Sequence, residues 1–133
     1  MAIGTTMPPI QHVAITVSDL AASVAWYTRV LGVEPVIDED TGPFHHTVYM
    51  LGGTLLGLHS FPDLVTTERF NERRPGLDHI SFAVPTRNDL VEWEARLCEL
   101  GVSTGGIVDA HYGSGLSFRD PDNIALELFA PPG

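Results

Sequence analysis

Basic residues are scarce in this sequence: seven lysines and arginines stand against 17 aspartates and glutamates, which gives a formal net charge of −10. Nucleic-acid backbones and anionic membrane surfaces both favour a basic face on the protein that binds them. The shortage of positive charge therefore argues against either as the main partner. It does not by itself name another partner.

The sequence also has little cysteine and no long apolar run. Cys98 is the only cysteine, so no internal disulfide can form, and the chain fits a reducing cytoplasm. We expect this residue, in a stretch with helical spacing, to be a buried structural thiol. No apolar run is long enough to span a bilayer. Residues 1–10 lack the basic and apolar regions of a secretory signal, and we expect them to form a leader ahead of the first strand.

Signatures of nucleophilic and phosphate chemistry are missing as well. No Gly-x-Ser-x-Gly elbow occurs, and Cys98 has no obvious base near it in the sequence, so nucleophilic catalysis is not expected. The stretch Gly113-Ser114-Gly115 predicts a loop. Because no helix follows this loop, it lacks the context of a phosphate-binding site.

The sequence does contain an internal repeat. Residues 9–17 read PIQHVAITV and residues 76–84 read GLDHISFAV, each with a histidine heading an alternating apolar segment. A helix signal follows each segment, and a glycine, Gly32 or Gly101, ends each helix. The second helix also has a capping box from Thr86 to Asp89. Three short β-like segments follow each helix: 34–39, 44–51 and 54–61 in the first half, and 104–110, 115–120 and 124–129 in the second.

This order predicts an α+β fold of two βαβββ modules, whose sheets form a cupped mixed sheet around a central cavity. We expect one domain over residues 1–133, with module one at about 9–60, a connector at 61–75 that carries a turn of helix, and module two at about 76–130. Side chains alternate across a strand, so the bulky residues should pack on the helix. The faces that carry His12 and His79 should then line the cavity.

Four ionisable residues occupy matching places in the repeat. His59 stands 47 residues after His12, and Glu127 stands 48 residues after His79, each on the last strand of its module. A carboxylate on an apolar strand is costly unless it is paired or metal-bound. Three imidazoles and one carboxylate suit Zn, Fe, Mn, Ni or Co better than Ca. The alternative is structural: Glu127 pairs with an arginine such as Arg119, and the histidines only form hydrogen bonds.

Two segments resemble a known family. The helix motif WYTRVLG at 26–32 and the ending FRDPDNIALEL at 118–128, within two βαβββ modules, resemble the vicinal oxygen chelate superfamily of glyoxalases, bleomycin-resistance proteins and extradiol dioxygenases. The likeness covers about residues 9–130. Family members commonly have the sequence DPDGN in this ending, and this chain lacks that glycine. We expect Asn123 to take the left-handed backbone angles instead.

The resemblance implies a divalent metal ion bound by His12, His79 and Glu127, with His59 at the position of the family's variable fourth ligand. Glyoxalase I usually has a glutamate at that position, so the histidine argues against glyoxalase I proper. His59 can bind the metal, hydrogen-bond the substrate or take a proton. His59 and Glu127 are therefore the catalytic candidates.

Other polar residues remain open candidates. Alternation places only one of His45 and His46 on the inner face, and the sequence does not say which. His111 and Tyr112 precede the predicted glycine loop and can carry protons or lie on the surface. The connector arginines, which are Arg69, Arg73 and Arg74, are expected to pair with Glu68 and Glu72.

The expected function is a divalent-metal-dependent enzyme that holds a small oxygenated substrate by bidentate chelation, for isomerase or lyase chemistry. One alternative is an Fe(II) extradiol-type dioxygenase, and another is a metal-free resistance protein that binds a drug or natural product. A fosfomycin-type thiol transferase shares the ligand set, but its basic pocket is not identifiable. The expected partner is a small-molecule substrate, with no nucleic acid or membrane, in the cytoplasm. The resemblance also implies a homodimer, in which exchanged modules would bring ligands from two chains together.

Overall fold

The computed structural model describes residues 4–133, so the first three residues of the predicted leader lie outside it. Residues 4–10 of the leader form no helix or strand. The elements that follow, in chain order, are β1 (His12–Thr16), α1 (Leu20–Leu31), β2 (Ile37–Asp40), β3 (His45–Leu51), β4 (Thr54–Ser60), β5 (Ile80–Ala83), α2 (Arg87–Glu99), β6 (Thr104–Ala110), β7 (Gly113–Arg119) and β8 (Ala125–Ala130).

The two βαβββ modules and the α+β class are confirmed. Each module has a four-stranded mixed sheet, in the order β1-β4-β3-β2 for the first and β5-β8-β7-β6 for the second. In each sheet the first strand runs parallel to the last, and the other neighbours are antiparallel. The parallel pair fixes which sheet face His59 and Glu127 on the last strands share with residues of the first strands.

The chain divides into two compact units that do not follow the module boundary. Unit one contains the chain up to Val24 and Val33–Val65, and unit two contains Ala25–Gly32 and Thr66–Gly133. The second part of α1 therefore belongs with the second sheet. Trp26 shows why, because its ring lies 6.2 Å from the ring of Phe118 on β7.

The helix ends follow the predicted signals. Thr86 accepts a hydrogen bond from the backbone of Asp89, and the Asp89 side chain accepts one from the Thr86 backbone, so the capping box is confirmed. At the start of α1, Asp19 Oδ1 accepts a bond from Ala22 N at 3.1 Å. Gly32 and Gly101 both have positive φ, 73° and 76°, which ends each helix without a Cβ clash.

Each sheet has one buried face of bulky residues, as the alternation predicts. In unit one the buried side chains include Ile15, Leu56, Leu58 and Tyr49, and the Tyr49 hydroxyl donates to the Val24 carbonyl at 3.2 Å. In unit two the buried set is Val84, Leu116, Phe118, Leu126 and Leu128. The opposite face carries the candidate ligands together with small and apolar residues, among them Val48 in the first sheet and Phe129 in the second.

The turn between β7 and β8 is fixed by a buried carboxylate. Asp120, 5% exposed, accepts bonds from the backbone of Asp122 and Ile124 at 2.8 Å and from the Tyr27 hydroxyl at 2.8 Å. Burial is the main influence on this carboxyl and raises its pKa, while the Tyr27 bond lowers it. Asn123 has φ 69°, so the expected left-handed turn without glycine is confirmed.

Three local expectations were wrong. Gly113-Ser114-Gly115 begins strand β7 and is not a loop. Cys98 is exposed, because Leu90 and Leu97 take the buried positions of α2 and the next residue along turns away. Residues 61–75, all of them described, contain turns but no helix. This connector is instead bonded to the β7–β8 turn, where Phe70 exchanges hydrogen bonds with Asp122 and Asn123.

Replacement of Tyr27 by phenylalanine should destabilise the protein by about 1.5–3 kcal/mol, because it removes a hydrogen bond to a buried carboxylate. The loss should be largest near neutral pH and should shrink as the pH falls through the range in which Asp120 is protonated. Urea unfolding between pH 7 and pH 4 measures this change. Tyr112→Phe, which alters an exposed tyrosine, is the control and should change little. An equal loss at every pH would contradict the bond to an ionised Asp120.

Candidate functional site

In unit one, the exposed face of the sheet carries three histidines. His12 begins β1, and its neighbours on the same face are Ala14 and Thr16. His59 in β4 is the register partner of Thr16, so it shares this face. His46 on β3 is the direct partner of His59 across the antiparallel pair, with ring centroids 5.4 Å apart. His12 and His59 therefore share one face of this sheet, although His12 pairs with Leu55 and lies four positions along the strand from the partner of His59.

The structure selects His46 and not His45 for the histidine face. His45 points to the other side of the sheet, where its Nε2 lies 2.5 Å from Asp38 Oδ1. His46 is half-buried, and its Nε2 is buried with no hydrogen-bond partner among residues 4–133. Its closest carboxylate, Glu39, is 3.7 Å away. Nothing in the sequence distinguished the two, because both are flanked by similar residues.

Packing against Phe44 and the nearby histidines both disfavour the protonated form of His59. Phe44 lies parallel to it, with centroids 4.7 Å apart and planes at 14°. Burial lowers the pKa of His59, and repulsion from His46 and then from His12 lowers it further. A neutral imidazole keeps a lone pair free, so His59 can accept a proton or a metal ion near neutral pH.

In unit two, His79 and Glu127 lie side by side. His79 stands just before β5, and its Nε2 is 3.7 Å from Glu127 Oε1. Glu127 is central in β8 between two buried leucines, and its side chain is 23% exposed. It therefore stands on the face opposite the core, as predicted, and it is not turned fully into solvent.

Two residues that sequence reasoning missed hold the Glu127 carboxylate in place. Ser81 Oγ donates to Glu127 Oε1 at 2.9 Å from the neighbouring strand. On the other neighbouring strand, a Cβ built at Gly115 would lie 2.8 Å from Glu127 Oε2, so any side chain there would displace the carboxylate from this position. The signal for Ser81 was its position two residues after His79 on the same face. Gly115 could be found only from the strand register.

The residue before each first-strand histidine binds that histidine. Asp78 Oδ1 accepts a hydrogen bond from His79 Nδ1 at 2.7 Å, and Gln11 Oε1 makes the same contact with His12 Nδ1. In a neutral imidazole, a proton on Nδ1 that is donated to either oxygen leaves the lone pair on Nε2. Such contacts orient metal-binding imidazoles in many proteins. This contact occurs in both modules, and it was not predicted from the sequence.

The alternative in which Arg119 neutralises Glu127 is wrong. Arg119 pairs with Glu72 instead, at 2.8 Å, and this bond lowers the pKa of Glu72 to about 2. Among residues 4–133, no arginine forms an ion pair with Glu127. In the connector, Arg74 pairs with Glu68 at 3.4 Å, as expected, whereas Arg69 contacts the Pro121 carbonyl.

The candidate ligands occur as one pair in each unit. Unit one has His12 and His59, and unit two has His79 and Glu127. Within the described part of the chain, no three or more histidine, cysteine, aspartate or glutamate side chains are grouped so as to hold a metal ion. The metal site of four ligands therefore remains a prediction.

Comparison with known proteins decides the family. The family model described as the Glyoxalase/Bleomycin resistance protein/Dioxygenase superfamily matches residues 9–128. The chain belongs to this superfamily. The resemblance in the helix motif and in the DPDN ending is thereby confirmed.

Neither described helix is long and apolar enough to cross a membrane.

Individual members of the superfamily show how far the likeness extends. Biphenyl-2,3-diol 1,2-dioxygenase 3 of Rhodococcus globerulus is 30% identical over 141 residues, covering 96% of this chain and 68% of the relative. Metallothiol transferase FosB of Bacillus licheniformis is 27% identical over 121 residues, covering 90% and 73%. The crystal structure of a glyoxylase/bleomycin resistance protein/dioxygenase domain from Frankia sp. EAN1pec has a TM-score of 0.86 and 34% identity, covering 96% of this chain and all of that one.

Replacement of Phe44 by alanine should raise the pKa of His59 back toward its ordinary value, because the stacked ring contributes to the burial that lowers it. NMR titration of the His59 ring nitrogens measures the change. Phe70→Ala removes an aromatic ring from the connector and should leave the His59 titration unaltered. An unchanged His59 titration in Phe44→Ala would show that the stacked ring does not control its protonation.

Proposed function

We propose that this protein is a divalent-metal-dependent enzyme that binds a small oxygenated substrate through two neighbouring oxygens. The proposed metal ligands are His12, His79 and Glu127, and His59 at the fourth position either binds the metal ion or takes a proton from the substrate. The observation that supports this most directly is the Glu127 carboxylate, which is three-quarters buried, has no arginine partner among residues 4–133 and is aimed beside His79. A carboxylate in such a place is costly unless a cation compensates its charge.

The donor set fits a transition metal. Imidazole nitrogen suits Zn, Fe, Mn, Ni and Co, and a carboxylate oxygen is compatible with all of them. His12 and His79 have their Nδ1 atoms occupied by neighbouring oxygens, so Nε2 is available in both. Metal binding needs neutral imidazoles, which the lowered pKa of His59 favours. A relative named a metallothiol transferase adds support.

The residues of this chain divide the chemistry between them. A bound metal ion would supply Lewis acidity toward the substrate oxygens. His59 is neutral near neutral pH and held by Phe44, so it can take a proton from the bound substrate. Ser81 keeps Glu127 oriented by donating to Oε1. This set of roles suits isomerase or lyase chemistry, in which a proton leaves the substrate and returns to it or to a product.

A second candidate is an Fe(II)-dependent extradiol-type dioxygenase. It is favoured by the 30% identity, across 96% of this chain, to a relative named biphenyl-2,3-diol 1,2-dioxygenase 3. A facial set of two imidazoles, His12 and His79, and the Glu127 carboxylate leaves positions open on the metal ion and suits Fe(II) and oxygen. In this reading His59 has the same role of taking a proton from a hydroxyl group of the substrate.

We propose a cytoplasmic homodimer as the working form. The single cysteine is free, which agrees with a reducing compartment. If ligands from two chains form each site, a mixture of His12→Ala and His79→Ala subunits should regain metal binding that neither variant has alone. Sites formed within one chain would show no such recovery.

The central prediction concerns metal content. Protein purified without added metal or chelator should contain about one transition-metal ion per chain, because the proposed ligands bind such ions tightly. His79→Ala and Glu127→Ala should each lower the affinity by at least about tenfold, as ligand loss exceeds the usual cost of losing a supporting contact. Elemental analysis and competition with a chelator measure both. His111→Ala and Glu92→Ala are matched controls outside the candidate pairs.

The outcomes separate the candidate functions. Metal that is retained equally by all four variants, or protein that never contains metal, would refute the metal-dependent enzyme. A metal-free protein that binds cationic aromatic compounds would instead be the resistance-type binding protein, which the net charge of −10 suits. Oxygen consumption with catechol under Fe(II) would identify the dioxygenase, and its absence would leave the isomerase or lyase.

Ser81 provides a finer test of the site. Ser81→Ala should weaken metal binding by about tenfold or more, since outer contacts to a ligating carboxylate are typically worth that much. Ser117→Ala is a matched control, because Ser117 is the other register partner of Glu127 and is exposed. Chelator competition on the two variants gives the comparison. Equal affinities would mean that the Ser81 bond does not orient the carboxylate.

A further inference from the structure

Four polar side chains on the exposed face of the first sheet form one row across the strands. Residues that are direct register partners on neighbouring strands point to the same side of a sheet. By this register the row, from β1 to β2, consists of Thr16, His59, His46 and Glu39. These four residues are called the polar row below.

The rest of this face on β2, β3 and β4 is apolar. The neighbouring row consists, in the same strand order, of Ala14, Gly57, Val48 and Ile37. The row after that pairs Leu55 with Met50. On these three strands, a ligand at this face can therefore form side-chain hydrogen bonds only with His59, His46 and Glu39.

The middle of the polar row differs from an ordinary solvated surface. The His46 side chain is 21% exposed, and its Nε2 is buried with no hydrogen-bond partner among residues 4–133. A buried polar atom that lacks a partner costs about 1–3 kcal/mol. A hydrogen bond to a ligand would recover this free energy, so the His46 nitrogen marks a binding position in unit one.

Glu39 and His46 are spaced for one more oxygen atom. Their closest atoms, Glu39 Oε2 and His46 Nε2, are 3.7 Å apart, which is too long for a direct hydrogen bond. An oxygen at about 2.8 Å from each atom completes a triangle with them. The Glu39 side chain is 65% exposed, so a ligand approaches the pair from the carboxylate side.

The two partners select a hydroxyl group. A carboxylate oxygen only accepts a hydrogen bond, whereas a neutral imidazole with its proton on Nε2 donates one. The bound group must therefore donate to Glu39 and accept from His46. A hydroxyl does both, while a carbonyl oxygen cannot donate and an ammonium group cannot accept.

This position lies one strand away from the candidate base. His46 is the direct partner of His59, and their ring centroids are 5.4 Å apart. Neighbouring strands are separated by about 4.8 Å. A hydroxyl held by Glu39 and His46 therefore belongs to a carbon a few bonds away from an atom that faces His59.

We propose that Glu39 and His46 bind a hydroxyl group of the substrate beyond the two oxygens that chelate the metal ion. The substrate class is then a polyhydroxylated small molecule with at least three oxygens. The inference rests on the proposed function for the chelating oxygens, but the further hydroxyl needs only residues of unit one and can be tested without metal.

The test compares two probes with the same chelating group. The probes 2-hydroxybutanoate and 2,4-dihydroxybutanoate differ by one terminal hydroxyl, and calorimetric titration measures their affinities for the metal-loaded protein. The dihydroxy acid should bind at least about threefold more tightly, the effect of one modest net hydrogen bond. Glu39→Ala and His46→Phe should each bring the ratio close to one. Phenylalanine keeps a ring against Phe44 and His59 but has no nitrogen.

A matched control and a metal-free arm accompany these variants. His45→Phe makes the same substitution one residue earlier, on the opposite face of β3, and should keep the ratio of the unmodified protein. Metal content and the urea unfolding midpoint are measured for every variant. In the metal-free arm, erythritol is added to chelator-treated protein and followed by NMR. It should shift the ring signals of His46 but not those of His45, and Glu39→Ala should abolish the shift.

The outcomes separate this inference from the proposed function. For protein that holds metal, the affinity ratio decides: a ratio near one, or one that both variants retain, overturns the inference and leaves the proposed function unaffected. For protein that holds no metal, erythritol decides. A His46 shift that Glu39→Ala abolishes would then keep the hydroxyl site although the proposed function fails, and no shift would overturn both.

Discussion

The parallel pairing of the first and last strands in each module is the constraint on which the rest of the site depends. It sets Thr16 opposite His59 in one sheet and Ser81 opposite Glu127 in the other. Because side chains alternate, burial of the bulky face commits the polar residues to the opposite face. A slip of one residue in the pair of β5 and β8 would place Glu127 in the core, where an unpaired carboxylate is strongly unfavourable.

The two modules carry different ionisable side chains at one equivalent position. His59 and Glu127 are equivalent in the repeat, yet one is a half-buried neutral imidazole under Phe44 and the other a carboxylate held by Ser81. Burial and the neighbouring histidines disfavour the protonated form of His59. The Glu127 carboxylate accepts a hydrogen bond from Ser81 but forms no ion pair with an arginine among residues 4–133. The same position in the repeat therefore has two different electrostatic environments, one that disfavours a positive charge and one with a carboxylate that no arginine neutralises among residues 4–133.

Much of the fold was predictable because its signals are local. The capping box of Thr86 and Asp89, the helix-ending glycines and the left-handed Asn123 each depend on backbone geometry within a few residues. Two of the three wrong expectations involve glycines and a thiol whose surroundings come from elsewhere in the chain. Gly113 and Gly115 read as a loop, but they leave space for Phe129 and Glu127 on a neighbouring strand. That requirement exists only once β7 and β8 are paired.

The sequence alone determined the family, the two modules and the face on which His12, His59 and Glu127 lie, because alternation and the repeat are properties of chain order. Tertiary structure decided which of His45 and His46 shares that face, that Arg119 binds Glu72, and that Ser81 orients Glu127. It also showed that the second part of α1 belongs with the second sheet. These outcomes depend on strand register and on contacts between distant residues, which a linear pattern does not encode.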